Sequence, residues 1–216
     1  MKTSKPTARY FAQLCVNSYS DALIAERGWR HREADVEILF DRAPWGITYT
    51  WRGTSSVKDA IRDLRLAFPW YDRDLGWCAA GALKGVRAIW PALETSLRAA
   101  RDDGIPIYHA GHSLGGAEAS IAAGMVAKGW PCAGLFTIGA AKPSFGPRLG
   151  EVLDEAGVPR RRIVADGDPI PGAPPGPWWD HPCQATILEH AADLAPDHPS
   201  ARYLKLIPED MPAFAF

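Results

Sequence analysis

Residues 105–129, IPIYHAGHSLGGAEASIAAGMVAKG, leave the chain few ways to fold. The opening IPIYHA is apolar and rich in strand formers, whereas the residues from 114 to 128 are small and apolar and suit a buried helix. The change from one to the other occurs across Gly111-His112-Ser113-Leu114-Gly115. A strand that runs into a helix over so few residues must turn sharply, and glycine both tolerates unusual backbone angles and leaves room for close approach. A single serine, Ser113, stands at the apex. A glycine-rich helix start can also cap itself or hold a phosphate, but a Gly-x-Ser-x-Gly between a strand and a helix is the setting in which a serine hydroxyl is raised as a nucleophile.

Strand-like and helix-like segments alternate over the rest of the chain. A helix is expected over about 6–19, strands at 35–40 and 46–51, and an amphipathic helix at SSVKDAIRDL, where Val57, Ala60, Ile61 and Leu64 share a face. A longer helix is expected near 82–101. After the serine turn come the strand GLFTIG, a helix near 146–156 and the strand RRIVAD. This order predicts an α/β fold with a mostly parallel central sheet flanked by helices. At 216 residues, 47% of them hydrophobic, the chain reads as a single domain over 1–216. Twenty-four Lys and Arg against 25 Asp and Glu, with no long run of either sign, argue against a nucleic-acid partner. No segment is long and apolar enough to span a bilayer. The first residues lack the apolar core and cleavage site of a signal peptide, so a cytoplasmic location is expected. The four cysteines have no C-x-x-C spacing and are expected to be reduced and mostly buried, with no metal site.

A serine hydroxyl needs a general base within hydrogen-bond reach and a third group to orient that base. In folds with this serine turn, the acid and then the histidine follow in sequence. Asp166 and Asp168, just past the strand RRIVAD, are the candidate acids, although an aspartate before proline also forms an Asx-turn. His181, His190 and His198 are the candidate bases. His112, beside the serine, reads as a packing or hydrogen-bonding residue.

The blocks TYTWRGTSSVKDAIRDL, IYHAGHSLGGAEA, LFTIGAAKPSFG and RIVADGDPIPGAPP, in that order, resemble the class 3 lipase family of α/β-hydrolases, over about residues 8–207. The ending DHPSARYL is similar to the Asp-His-Ser-x-x-x-Tyr ending of bacterial and phage members. The resemblance implies an α/β-hydrolase fold and a serine carboxylester hydrolase of lipase type, acting on acylglycerols or other fatty-acyl esters without cofactor or metal. It implies Ser113 as nucleophile, Asp168 as the acid and His198 as the base, with His190 as the rival. The backbone N–H groups of Thr54 and Leu114 would form the oxyanion hole. In fungal members the helix corresponding to the one that bears Val57, Ile61 and Leu64 is a lid over the substrate; its apolar face fits that role, but the same spacing is that of an ordinary core-packed helix, and the core reading is slightly preferred. The expected partner is a lipid or small ester, with transient contact to a lipid surface; nothing in the resemblance specifies how many chains assemble. A phospholipase, a phage or cell-envelope esterase, and a catalytically silent binding module are the alternative readings. Phe68, Trp70 and Tyr71 are expected to line an acyl pocket or to belong to the core.

Overall fold

A computed structural model of the chain describes residues 5–20, 28–33, 36–53, 68–189 and 199–214. Strands β1 (Gly28–Glu33), β2 (Val36–Ala43) and β3 (Gly46–Arg52) form an antiparallel meander. β3 then continues into a parallel array with β6 (Ile107–His112), β7 (Cys132–Ile138), β9 (Arg160–Ala165) and β11 (Ala185–Leu188). The sheet order is β1-β2-β3-β6-β7-β9-β11. Between β3 and β6 lie β4 (Pro69–Asp72), β5 (Gly76–Ala79) and the helix α2 (Ala80–Asp102); α1 (Ala8–Asn17) precedes the sheet. The crossovers after β6 and β7 carry α3 (Leu114–Ala127) and α4 (Arg148–Glu155). The helix α5 (Ser200–Leu206) follows β11.

Parallel strands are buried on both faces, so each must supply apolar residues in both directions. In β7, Leu135 enters one core, whereas Phe136 and Ile138 enter the other. The larger core packs α2, α3 and α4 on one face through Leu83, Val86, Ile89, Leu93, Ile121 and Leu153. The smaller packs α1 and α5 on the opposite face through Phe11, Phe136, Ile163, Tyr203 and Phe214. Buried residues of α2 recur every three or four positions, as the sequence predicts for a half-buried helix. Nearly every residue of α3 is buried, because it lies against the sheet with α2 and α4 beside it; its glycines, alanines and serine allow that closeness.

A second sheet, β10-β8-β5-β4, sits beside the first, with β8 at Ser144–Phe145 and β10 at Trp179–Asp180. Its register aligns Tyr71, Trp77, Phe145 and Trp179 in one cross-strand row. The sequence pattern does not predict this sheet, and its presence corrects one expectation: Phe68, Trp70 and Tyr71 are 74%, 51% and 59% exposed and are not core. All four cysteines are free, with Cys15 and Cys78 buried. Among the described residues, no helix is long and apolar enough to cross a membrane.

Candidate active site

β6 ends at His112 and α3 begins at Leu114, so Ser113 alone makes the turn. Its backbone angles, φ 61° and ψ −130°, make it the one described non-glycine residue with positive φ. The flanking glycines are required by space. A Cβ on Gly111 would stand 2.2 Å from the carbonyl oxygen of Gly115, and one on Gly115 would stand 2.2 Å from that of Trp51. The turn is tied down on both sides: Ser113 N–H donates to Ile138 O at 3.3 Å, and Ser113 O accepts from Gly116 at 3.0 Å and Ala141 at 3.2 Å. Ser113 is 0% exposed, and its Oγ has no hydrogen-bond partner among the described residues. The hydroxyl therefore lies at the C-terminal edge of the sheet but is covered from solvent.

Leu114 is the first residue of α3 and is half-buried. The first N–H groups of a helix lack partners within it and carry its positive partial charge, so the Leu114 N–H is a donor beside the serine. Thr54, Val57, Ile61 and Leu64 lie outside the described residues. The chain can be followed to Gly53, where a Cβ would fall 2.9 Å from Ser113 Cβ and 2.5 Å from His112 O. The backbone that leads into Thr54 thus passes directly against the serine.

Asp168 and Ser113 flank the end of β7. Ser113 is bonded to Ile138, and a Cβ on the next residue, Gly139, would meet Asp168 Oδ2 at 2.9 Å. Asp168 Oδ1 accepts from Ile170 N–H at 2.9 Å, which is the Asx-turn expected before a proline. Asp168 Oδ2 accepts from Tyr203 Oη at 2.5 Å, while Tyr203 Oη in turn accepts from Ala165 N–H at 3.2 Å. Burial, and then the Asp168 charge, push the Tyr203 phenol far above its ordinary value, so it stays a donor. Asp166 is exposed; its carbonyl accepts from Arg202 of α5 at 3.1 Å, which fastens that helix to the loop that carries Asp168. In the sequence Tyr203 is visible only within DHPSARYL, with no role attached to it.

His198 and His190 both lie outside the described residues. Three other histidines have structural partners. His181 Nε2 donates to Pro171 O at 2.9 Å, and burial followed by the Arg162 charge lowers it to about 4. His109 lies between Tyr49 and Trp51, takes a bond from Trp51 Nε1 at 3.2 Å and is lowered by burial to about 3. His112 Nδ1 lies 2.8 Å from Tyr19 Oη, in keeping with a hydrogen-bonding residue. Among the described residues, no group of three or more His, Cys, Asp or Glu side chains could hold a metal ion.

A mostly parallel sheet, a serine on a strained strand-to-helix turn and a carboxylate beyond the next strand but one of the parallel array define an α/β-hydrolase. The chain belongs to the class 3 lipase family, whose sequence model matches residues 48–177, more than half of its length. Among solved structures, Rhizomucor miehei triacylglyceride lipase superposes with a TM-score of 0.68 at 22% identity, covering 80% of this chain and 75% of that one. Lipase II from Rhizopus niveus gives 0.63 at 20% identity, covering 81% and 78%. A fungal lipase–inhibitor complex, presented as a model for interfacial activation, gives 0.65 at 22% identity, covering 78% and 73%. No curated protein sequence matches the chain. The family and the fold make this protein a carboxylic ester hydrolase of lipase type.

Proposed function

We propose that the protein hydrolyses fatty-acyl esters through an acyl-enzyme on Ser113. Ser113 Oγ attacks the ester carbonyl while His198 takes its proton, giving a tetrahedral oxyanion that faces the N–H groups of Leu114 and Thr54. Collapse expels the alcohol, which receives that proton from His198. Water, deprotonated by the same imidazole, then attacks the acyl-enzyme, and the carboxylic acid leaves as Ser113 regains its proton. Asp168 holds the imidazole in one tautomer and stabilises its charged form, and Tyr203 holds Asp168. The observation that carries this reading is the positive φ of a serine between two glycines that admit no side chain. A non-glycine residue is kept at such angles where its side chain is needed there.

The covered hydroxyl supports a second element of the proposal. An ester can reach Ser113 only after whatever covers it moves aside. Contact with a lipid surface is the event that would favour the open form, in line with the interfacial activation ascribed to the fungal lipase of the inhibitor complex. Phospholipid and cell-envelope esters are less favoured as substrates than acylglycerols, because the family match is to lipases. A silent binding module is disfavoured by the intact glycine-serine turn.

Hydrolysis of p-nitrophenyl butyrate and tributyrin tests both elements. Ser113→Ala is expected to remove essentially all turnover, and His198→Ala a far larger share than His190→Ala; full activity in Ser113→Ala overturns the mechanism. The tributyrin rate should rise abruptly above its solubility limit. A smooth saturation curve through that limit would remove the interfacial element.

A further inference from the structure

The β3–β6 ladder ends at the pair Trp51↔Gly111, one residue short of His112 and two short of Ser113. Past that point the two strand ends must still be held at a fixed separation, because one leads to the nucleophile and the other, through Gly53, to the oxyanion donor at Thr54. The side chain that spans them comes from neither strand. Tyr19, in the turn after α1, packs its Oη against the Gly53 backbone, and the same Oη lies 2.8 Å from His112 Nδ1. The fit is tight: a Cβ on Gly53 would stand 2.6 Å from Tyr19 Oη and 2.9 Å from Ser113 Cβ.

We infer that Tyr19 is a positioning residue for catalysis, its phenol locking the oxyanion-side backbone at Gly53 to the nucleophile turn at His112. The inference rests on the assignment of Ser113 and Thr54 made above. Burial raises the Tyr19 phenol well above its ordinary value, so it keeps its proton. The ring of Tyr19 is itself held from outside: the Arg52 guanidinium lies over it, 5.5 Å from the centroid, and Arg52 Nη1 pairs with the buried Glu37 Oε2 at 2.9 Å. Arg52 belongs to β3 and Tyr19 to the turn after α1, so the phenol is fixed relative to the sheet and not merely to its own turn.

An oxyanion hole works only if its donors stand where charge develops, and a fraction of an ångström decides its strength. Tyr19→Phe keeps the ring, its packing and the Arg52 contact but removes the junction between Gly53 and His112. Measured in the full-length protein and normalised to sites titrated with a fluorophosphonate, kcat on p-nitrophenyl butyrate should fall about 10- to 100-fold, with KM changed less than about twofold. Inhibition by an alkylboronic acid, whose tetrahedral adduct on Ser113 occupies the oxyanion position, should weaken by the same factor as kcat. A purely structural role would lower the number of titratable sites without moving kcat per site or boronate affinity. Wild-type kcat per site in Tyr19→Phe, or a lower kcat with unchanged boronate affinity, overturns the inference. If the variant yields no folded protein, amide exchange in the wild type decides: a Gly53 N–H that exchanges as fast as an open loop overturns it, and a strongly protected one supports it. Ser113→Ala separates the two levels, since full activity there sinks the serine mechanism itself, whereas an inactive Ser113→Ala beside a normal Tyr19→Phe sinks only the role of Tyr19.

Discussion

The backbone of Ser113 is the point at which the proposed nucleophile role and stability oppose each other. An L-residue at φ 61° and ψ −130° is strained by about 1–3 kcal/mol, and glycine at the same angles is not. Ser113→Gly should therefore be inactive yet more stable than the wild type by about 1 kcal/mol, raising Tm by about 2–4 °C. Ser113→Ala keeps the Cβ and hence the strain, so thermal unfolding of the two variants side by side isolates the backbone contribution; an equal Tm for both would refute it. Of the proposed site residues, Ser113 was legible as the residue of the turn because its glycines mark the turn on their own. Local pattern alone does not separate Asp168 from Asp166, and the choice of Asp168 rests on the family resemblance. What distinguishes them physically is a half-buried carboxylate bonded to a phenol 35 positions away, against an exposed one. Tyr19 and Tyr203 carried no local signal, since each acts through contacts between distant segments.

At the scale of elements, legibility followed length and periodicity. α2 shows the recurrence of buried positions that the sequence displays, β3, β6 and β7 are mostly apolar, aromatic or β-branched, and β9 ends in Ile163-Val164-Ala165 after three arginines. The second sheet was not legible because β8 and β10 are two residues each, too short to show any alternation. α3 contains the clearest conflict between an element and its surroundings. Glu118 lies on this almost fully buried helix, beside Gly85 and Val36, and its Oε2 has no hydrogen-bond partner among the described residues. Burial raises its carboxyl well above the ordinary value, so the folded state holds it neutral. Above about pH 4.5 the unfolded chain releases that proton and the folded chain does not, so the group lowers stability progressively as pH rises. Glu118→Met, of similar length and without the polar atoms, should stabilise the protein by about 1–3 kcal/mol at pH 7 and by less at pH 4.5. Urea unfolding at the two pH values checks this, and a gain independent of pH would show that the carboxyl is ionised in the fold.

Over the whole molecule, one sheet separates two cores, and the buried imidazoles make its stability depend on pH. His109 is lowered to about 3 and His181 to about 4, both below an unfolded value of 6.5. As pH falls from about 6.5 toward 4, the unfolded chain therefore binds two protons that the native state refuses, and stability is lost; Glu118 opposes this by one proton above about 4.5. The His181 contribution can be isolated because His181→Gln retains an N–H able to donate to Pro171 O while removing the titrating ring. The variant's stability curve should be shallower than the wild type's by one proton, about 1.4 kcal/mol per pH unit, between pH 6 and 4.5, and parallel to it above pH 7.5. Parallel curves throughout would mean that His181 titrates in the folded protein as it does in water, and that the proline-rich loop it fastens after Asp168 is open to solvent. A shallower curve ties that loop, and with it the geometry of Asp168, the proposed acid, to a histidine that must remain uncharged, so activity should fail reversibly on acidification before the sheet itself unfolds.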